Sequence, residues 1–115
     1  MPSIDKSRIA EVVGRAIAKH RIASNLTQEQ VAEQLGIGNE AVSRIERGIV
    51  IPTIVRLVEL AEIFDCDASE LLTEASNRSS DQASYLNRLL SKLKDHDRAM
   101  IIEIVERLTE RLARR

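Results

Sequence analysis

An all-α fold is predicted for this 115-residue chain by three features: apolar residues recur at steps of three and four, capping patterns punctuate them, and turn-formers are scarce. Only 4 Gly and 2 Pro are present, too few for the many tight turns of an all-β fold. Hydrophobic residues at 43% supply enough aliphatic surface to bury a core, which argues against intrinsic disorder. With one Phe, one Tyr and no Trp, that core has to be built from small aliphatic side chains.

The elements follow in order. Ile9, Val12, Val13, Ala16, Ile17 and Ile22 predict an amphipathic helix from about Asp5 or Ser7 to Ser24, broken at Asn25-Leu26. Thr27-Gln28-Glu29-Gln30 is a capping-box pattern that opens a short helix carrying Val31, Ala32 and Leu35, stopped by Gly36. Gly36-Ile37-Gly38 makes a turn, and a third helix is expected from Asn39 to Arg47, ending at Gly48. Pro52-Thr53 opens a fourth helix, with Thr53 as N-cap and Ile54, Leu57, Val58, Leu60, Ala61 and Phe64 as its buried face. Asp67-Ala68-Ser69-Glu70 is a second capping box for a brief fifth helix. The polar, aperiodic run around 74–80 reads as a linker between an N-terminal domain (1–73) and a C-terminal region (81–115). Tyr85, Leu86, Leu89, Leu90 and Leu93 form one further helical stripe. Met100, Ile101, Ile104, Val105, Leu108 and Leu112 form another, with Asp95 as the expected N-cap.

Several function classes drop out. A formal net charge of -1 excludes coating of nucleic acid through bulk charge alone. Cys66 is the single cysteine, so no internal disulfide forms and a reducing cytosol suits the chain. It reads as a small structural or surface cysteine, with an oxidation sensor as the alternative. No apolar run approaches the roughly 18–20 residues that span a membrane, and the N-terminus has no signal-type core. A soluble, cytoplasmic protein is expected. His20 and His96 are far apart in sequence, no Gly-rich phosphate loop is present, and no catalytic set, metal site or cofactor is expected.

Thr27 to Gly48 carries the function. Two short helices joined by a tight Gly-containing turn are the skeleton of a helix-turn-helix. Ala32 is small where the helices cross, Gly36 suits a left-handed exit, and Val31, Leu35, Ile37, Val42 and Ile45 fill the angle between them. The outward positions Asn39, Glu40, Ser43 and Arg44 are all polar.

On these residues the chain resembles the phage-repressor/Cro-like (XRE) helix-turn-helix regulators of bacteria and phages. The matching series runs from Gly14 to Arg21, through Leu26-Thr27-Gln28, Val31-Ala32, Leu35-Gly36, Val42 to Gly48 and Pro52-Thr53, to Leu60-Ala61 and Glu70-Leu71-Leu72. The resemblance implies a five-helix domain that inserts its third helix into the major groove of DNA. It implies Asn39, Glu40, Ser43 and Arg44 as base readers and Thr27, Gln28, Arg47 and Thr53 as backbone contacts. Arg44 suits guanine, Asn39 adenine and Glu40 cytosine. The alternative reading of Asn39 is a helix cap, a place Gly38 could fill instead. Glu40 also reads as a rejector of wrong sequences, and Arg47 as a solvated charge. Glu46 is expected, by family position, to pair with Arg21 as a structural ion pair, and Gly14 to be a packing position.

One departure stands out. The segment after Gly48, usually basic in such regulators, is Ile49-Val50-Ile51, which reads as core or as a partner-binding spot. Up to Leu72 the chain holds eight basic and eleven acidic side chains, so few phosphate contacts are expected from one copy.

The C-terminal stripes, Tyr85, Leu86, Leu89 and Leu93 with Ile101, Ile104, Val105, Leu108 and Leu112, bury little alone. A helical hairpin for homodimerisation is expected; completion of the monomer's own core is the alternative. The sequence thus reads as a homodimeric, sequence-specific repressor acting on double-stranded DNA. Its rivals are an antitoxin or restriction-modification controller of the same fold, and a protein-interaction adaptor without DNA affinity.

Overall fold

The computed structural model describes residues 4–75 and 78–114, and among these every regular element is helical. In chain order they are α1 (Lys6–Ala23), α2 (Gln28–Leu35), α3 (Asn39–Glu46), α4 (Ile54–Phe64), α5 (Ala68–Leu72), a 3-10 turn (Thr73–Ala75), α6 (Ser79–Ser91) and α7 (Asp95–Ala113). The chain divides into two compact units, Met1–Gln82 and Ala83–Arg115.

In the first unit, Asp5 caps α1 by accepting from the Arg8 amide at 3.1 Å. Asn25 ends that helix in the left-handed region at φ +58°, which Asn tolerates better than most residues. Thr27 and Gln30 form the expected reciprocal box: the Gln30 amide donates to Thr27 Oγ1 at 3.1 Å, and the Thr27 amide donates to Gln30 Oε1 at 2.9 Å. Gly36 closes α2 at φ +71°, where a Cβ would be strained. Thr53 caps α4, and Glu70 reaches back to the Asp67 amide at the start of α5.

These helices surround one aliphatic core. Ile17 of α1, Val31 of α2, Val42 of α3, Leu60 of α4 and Leu71 of α5 are its fully buried side chains, one from each helix. Each such burial is worth about 1.5–3 kcal/mol. The single Phe, Phe64, stacks on His20 with ring centroids 6.4 Å apart. α2 and α3 pack against each other and α3 leans on α1. Cys66 is half-buried against the core.

Four sequence expectations are corrected. Ile22 faces solvent, because α1 has already turned its apolar stripe away at its last turn. Ile54 is 80% exposed and Val58 is exposed, since α4 is apolar on two sides and Leu57, Leu60, Ala61 and Phe64 alone fill the core. Ile49-Val50-Ile51 is exposed and is not core. Lys94, not Asp95, is the N-cap of α7, and Asp95 sits in the first helical turn. The run 74–80 carries regular structure at both of its ends. It begins in the 3-10 turn, whose Ala75 carbonyl accepts from Arg8 Nη1 at 3.4 Å, and its last residues open α6; residues 76–77 lie outside the described residues.

The second unit holds the end of α6 and all of α7. No residue of either helix is buried. Arg88 lies over the Tyr85 ring at 5.9 Å, and Arg98 Nη1 donates to the Leu93 carbonyl at 2.7 Å. Met100, Ile101, Ile104, Val105, Leu108 and Leu112 are all exposed along α7, as are Leu86 and Leu89 on α6.

Candidate nucleic-acid interface

The base of α3 is held by charge. Arg21 of α1 grips Glu46 through two hydrogen bonds, Nε to Oε2 at 2.7 Å and Nη2 to Oε1 at 3.1 Å. The third arm of the fork, Nη1, donates to the Leu26 carbonyl at 2.9 Å. The two side chains are 15% and 6% exposed, so the pair is shielded from salt far better than a surface pair. The hydrogen bond to Glu46 holds the Arg21 guanidinium above its ordinary pKa; burial opposes this and the charge of Glu46 adds to it. Glu46 Oε1 also accepts from Gln28 Nε2 at 2.9 Å. One carboxylate therefore joins α1, α2 and α3.

The outer face of α3 is polar. Asn39, Glu40 and Arg44 are exposed, and Ser43 is half-exposed beside them. Gly38, not Asn39, occupies the cap position and supplies no side-chain bond, so the Asn39 amide group is not spent on capping. Arg47 follows on the same face. Its Nη2 donates to Glu40 Oε1 at 2.9 Å and its Nε to Ser43 Oγ at 3.1 Å, while Arg44 Nε stands 3.9 Å from the same Glu40 oxygen.

Thr27 and Thr53 sit at the starts of α2 and α4, where each hydroxyl accepts from an amide one turn on, Gln30 and Arg56 respectively. Each hydroxyl keeps its own proton to donate, and the first amides of each helix lack intrahelical acceptors. Gln28 likewise keeps one amide proton beyond the one given to Glu46. A cleft of about 300 Å³ lies beside α3, floored by Ile37, Ala41, Ile45 and Val50 and rimmed by Glu40, Arg44 and Arg56. Arg56, one turn after the Thr53 cap, donates from Nη1 to Glu59 Oε1 at 3.1 Å. The Gln28–Glu46 bond was missed, because it joins residues of two helices with no shared periodicity. Ile49, Ile51, Ile54 and Val55 form an exposed apolar area around the start of α4.

The Helix-turn-helix family pattern matches residues 17–71, the stretch that contains this whole arrangement. The uncharacterized HTH-type transcriptional regulator y4dJ of Sinorhizobium fredii is 36% identical over 63 residues, which cover 55% of this chain and 82% of that protein. The chain belongs to the XRE-like helix-turn-helix transcriptional regulators. The phage CTXphi transcriptional repressor RstR of Vibrio cholerae is 22% identical over 91 residues, covering 79% of this regulator and 82% of RstR. The crystal structure of the clp gene regulator ClgR from C. glutamicum superposes with a TM-score of 0.54 at 23% identity, covering 65% of this chain and 91% of that one, and so shares its fold. This helix-turn-helix regulator is thus a transcriptional regulator with a DNA-binding domain, in a family that is not enzymatic. Among the described residues no helix is long and apolar enough to cross a membrane.

Proposed function

We propose that this regulator is a cytoplasmic homodimeric repressor that reads an inverted-repeat operator in the major groove. The observation that carries the reading is the outer face of α3: Asn39, Glu40, Ser43 and Arg44 stand together on a helix whose base is fixed by Arg21 and Glu46. Arg44 suits the O6 and N7 acceptors of guanine, and Asn39 the N6 and N7 of adenine. Thr27, Gln28 and Thr53 supply neutral donors to phosphates on either side, and Arg47 a charged one. The name of RstR, a transcriptional repressor, supports repression over activation.

Pairing of two copies is supported by α7, whose apolar residues Ile101, Ile104, Val105, Leu108 and Leu112 are all exposed. Tyr85, Leu86 and Leu89 of α6, with Leu93 just after it, add further apolar side chains, and the region 81–115 is read as the dimerisation region that follows the DNA-binding domain 1–73 in sequence. Two linked grips on one DNA offset the acidic balance of each domain through effective concentration. A protein partner is the second reading for the exposed Ile49, Ile51, Ile54 and Val55, which a free surface has no reason to display together.

Selection of bound duplexes from a random pool tests the proposal. An enriched inverted repeat, with half-sites about one helical turn apart, is the expected outcome. Failure to enrich any sequence at low salt would overturn it.

A further inference from the structure

Glu40 is the acid among the outward side chains of α3, and it already holds a base. Its Oε1 accepts from Arg47 Nη2 at 2.9 Å and stands 3.9 Å from Arg44 Nε. Arg47 is steadied at the other end by Ser43 Oγ at 3.1 Å. Positions 40, 43, 44 and 47 lie at three-, four- and seven-residue spacings, so one face of α3 and its C-cap carries a continuous chain of contacts, Ser43 to Arg47 to Glu40 to Arg44. Both arginines that could meet DNA from α3 are therefore compensated by one carboxylate in the unbound protein.

We infer that Glu40 is a specificity-determining latch: it keeps Arg47 off phosphates until a cytosine amino group in the operator takes its place. This rests on the DNA-reading role proposed for α3. Away from the operator, the Glu40 carboxylate keeps Arg47 as its donor and adds its own repulsion toward the phosphate backbone. At the operator, the N4 amino group of cytosine donates to Glu40. Arg47 is then released to a phosphate, so one hydrogen bond to carboxylate is exchanged for another and a new charge-assisted contact is gained. The pair is exposed, with side chains about half to three-quarters accessible, and an exposed pair opens at little cost. A buried pair could not work this way.

In a domain already carrying more acids than bases, such a latch lowers binding to the many wrong sites more than binding to the right one. It couples two kinds of contact usually counted separately: a base contact by Glu40 licenses a backbone contact by Arg47.

The test uses the full chain, Glu40→Gln, Arg47→Gln and the double variant, on a non-operator duplex across a salt series. Glu40→Gln should bind this duplex more tightly, with the slope of log affinity against log salt steeper by about 0.9, one added phosphate. In the Arg47→Gln background the Glu40→Gln change should leave the slope unaltered. In selection from a random pool, the wild type should recover cytosine at one position of each half-site and Glu40→Gln should lose that preference. An unchanged slope in Glu40→Gln, or a steepening of the slope that survives Arg47→Gln, overturns the latch even where an operator is enriched. Absence of any enriched sequence with the wild type instead overturns the DNA-reading role, and the latch with it. Because Glu40 and Arg47 are exposed, all variants should keep the wild-type helical circular dichroism.

Discussion

A Cβ placed on Gly14 of α1 would stand 2.5 Å from the carbonyl oxygen of Ile45 in α3. The next carbonyl, of Glu46, would be 2.6 Å away. Both obstacles are backbone atoms, so no side chain can swing aside. Gly14→Ala should therefore destabilise the protein by about 1–3 kcal/mol through overpacking, read as a lower urea midpoint. A midpoint equal to wild type would show that α1 and α3 can separate freely.

Removal of the Glu46 carboxylate should cost more than removal of any exposed charge. Glu46→Ala strands the Arg21 guanidinium and the Gln28 amide nitrogen at a site only 6–15% exposed. A loss of about 2–4 kcal/mol is expected, somewhat under the figure for breaking a fully buried pair. DNA affinity should fall with it, because α2 and α3 lose their shared anchor. Unchanged melting temperature and affinity would remove the pair from the account.

The pH dependence of the Arg21 contribution follows from its direction of shift. Its pKa is raised in the folded protein, so its stabilisation is fully present below the unfolded value and is lost only as pH climbs through the alkaline folded one. Arg21→Met should then destabilise by the same amount from about pH 6 to 9. A penalty that grew or shrank across this range, measured by urea unfolding at several pH values, would contradict the assignment.

Arg44 tests the proposed base-reading role of α3. Arg44→Ala should relax preference at one position of each half-site by about 1–3 kcal/mol while leaving the melting temperature near wild type, since Arg44 is exposed and its nearest acid is 3.9 Å away. Uniform weakening on all sequences would assign Arg44 to the phosphates instead.

The exposed stripe of α7 tests pairing. Ile104→Asp with Leu108→Asp should leave helix content intact, since neither residue is buried, yet yield a monomer in sedimentation. Operator affinity should drop on the order of a hundredfold with loss of the second grip. A dimer that persists would place the contact elsewhere, with Ile51, Ile54 and Val55 the next residues to change.

Much of this was legible in the sequence because it is local. The Thr27–Gln30 box, the left-handed Gly36 and the Thr53 cap each depend on residues within one turn, and the patterns named them correctly. α4 defeated the same logic. Ile54, Val55 and Val58 are as apolar as Leu57 and Leu60, and hydrophobicity alone does not say which of two apolar sides faces the core. The Arg21–Glu46 pair was anticipated from the resemblance, whereas the Gln28 amide on the same carboxylate depends on how α2 crosses α3. The Glu40–Arg47 contact lies within reach of the sequence, since a spacing of seven returns to one helix face, but spacing alone does not say that the two side chains pair rather than stay solvated.

Beyond the core side chains Val42 and Ile45, the polar and backbone fastenings of α3 gather at its C-terminal end. Glu46 is clamped by Arg21, Gly14 abuts the last carbonyls, and a Cβ on Gly48 would lie 2.6 Å from Glu11 Cα; at the opposite end Gly38 offers no side-chain cap. Side chains at positions 39, 40, 43 and 44 can thus be exchanged with small effect on folding, because none of the fastenings passes through them. On the proposed reading, the address and the frame that carries its reader are written in different residues, so a new target could be acquired without rebuilding the fold.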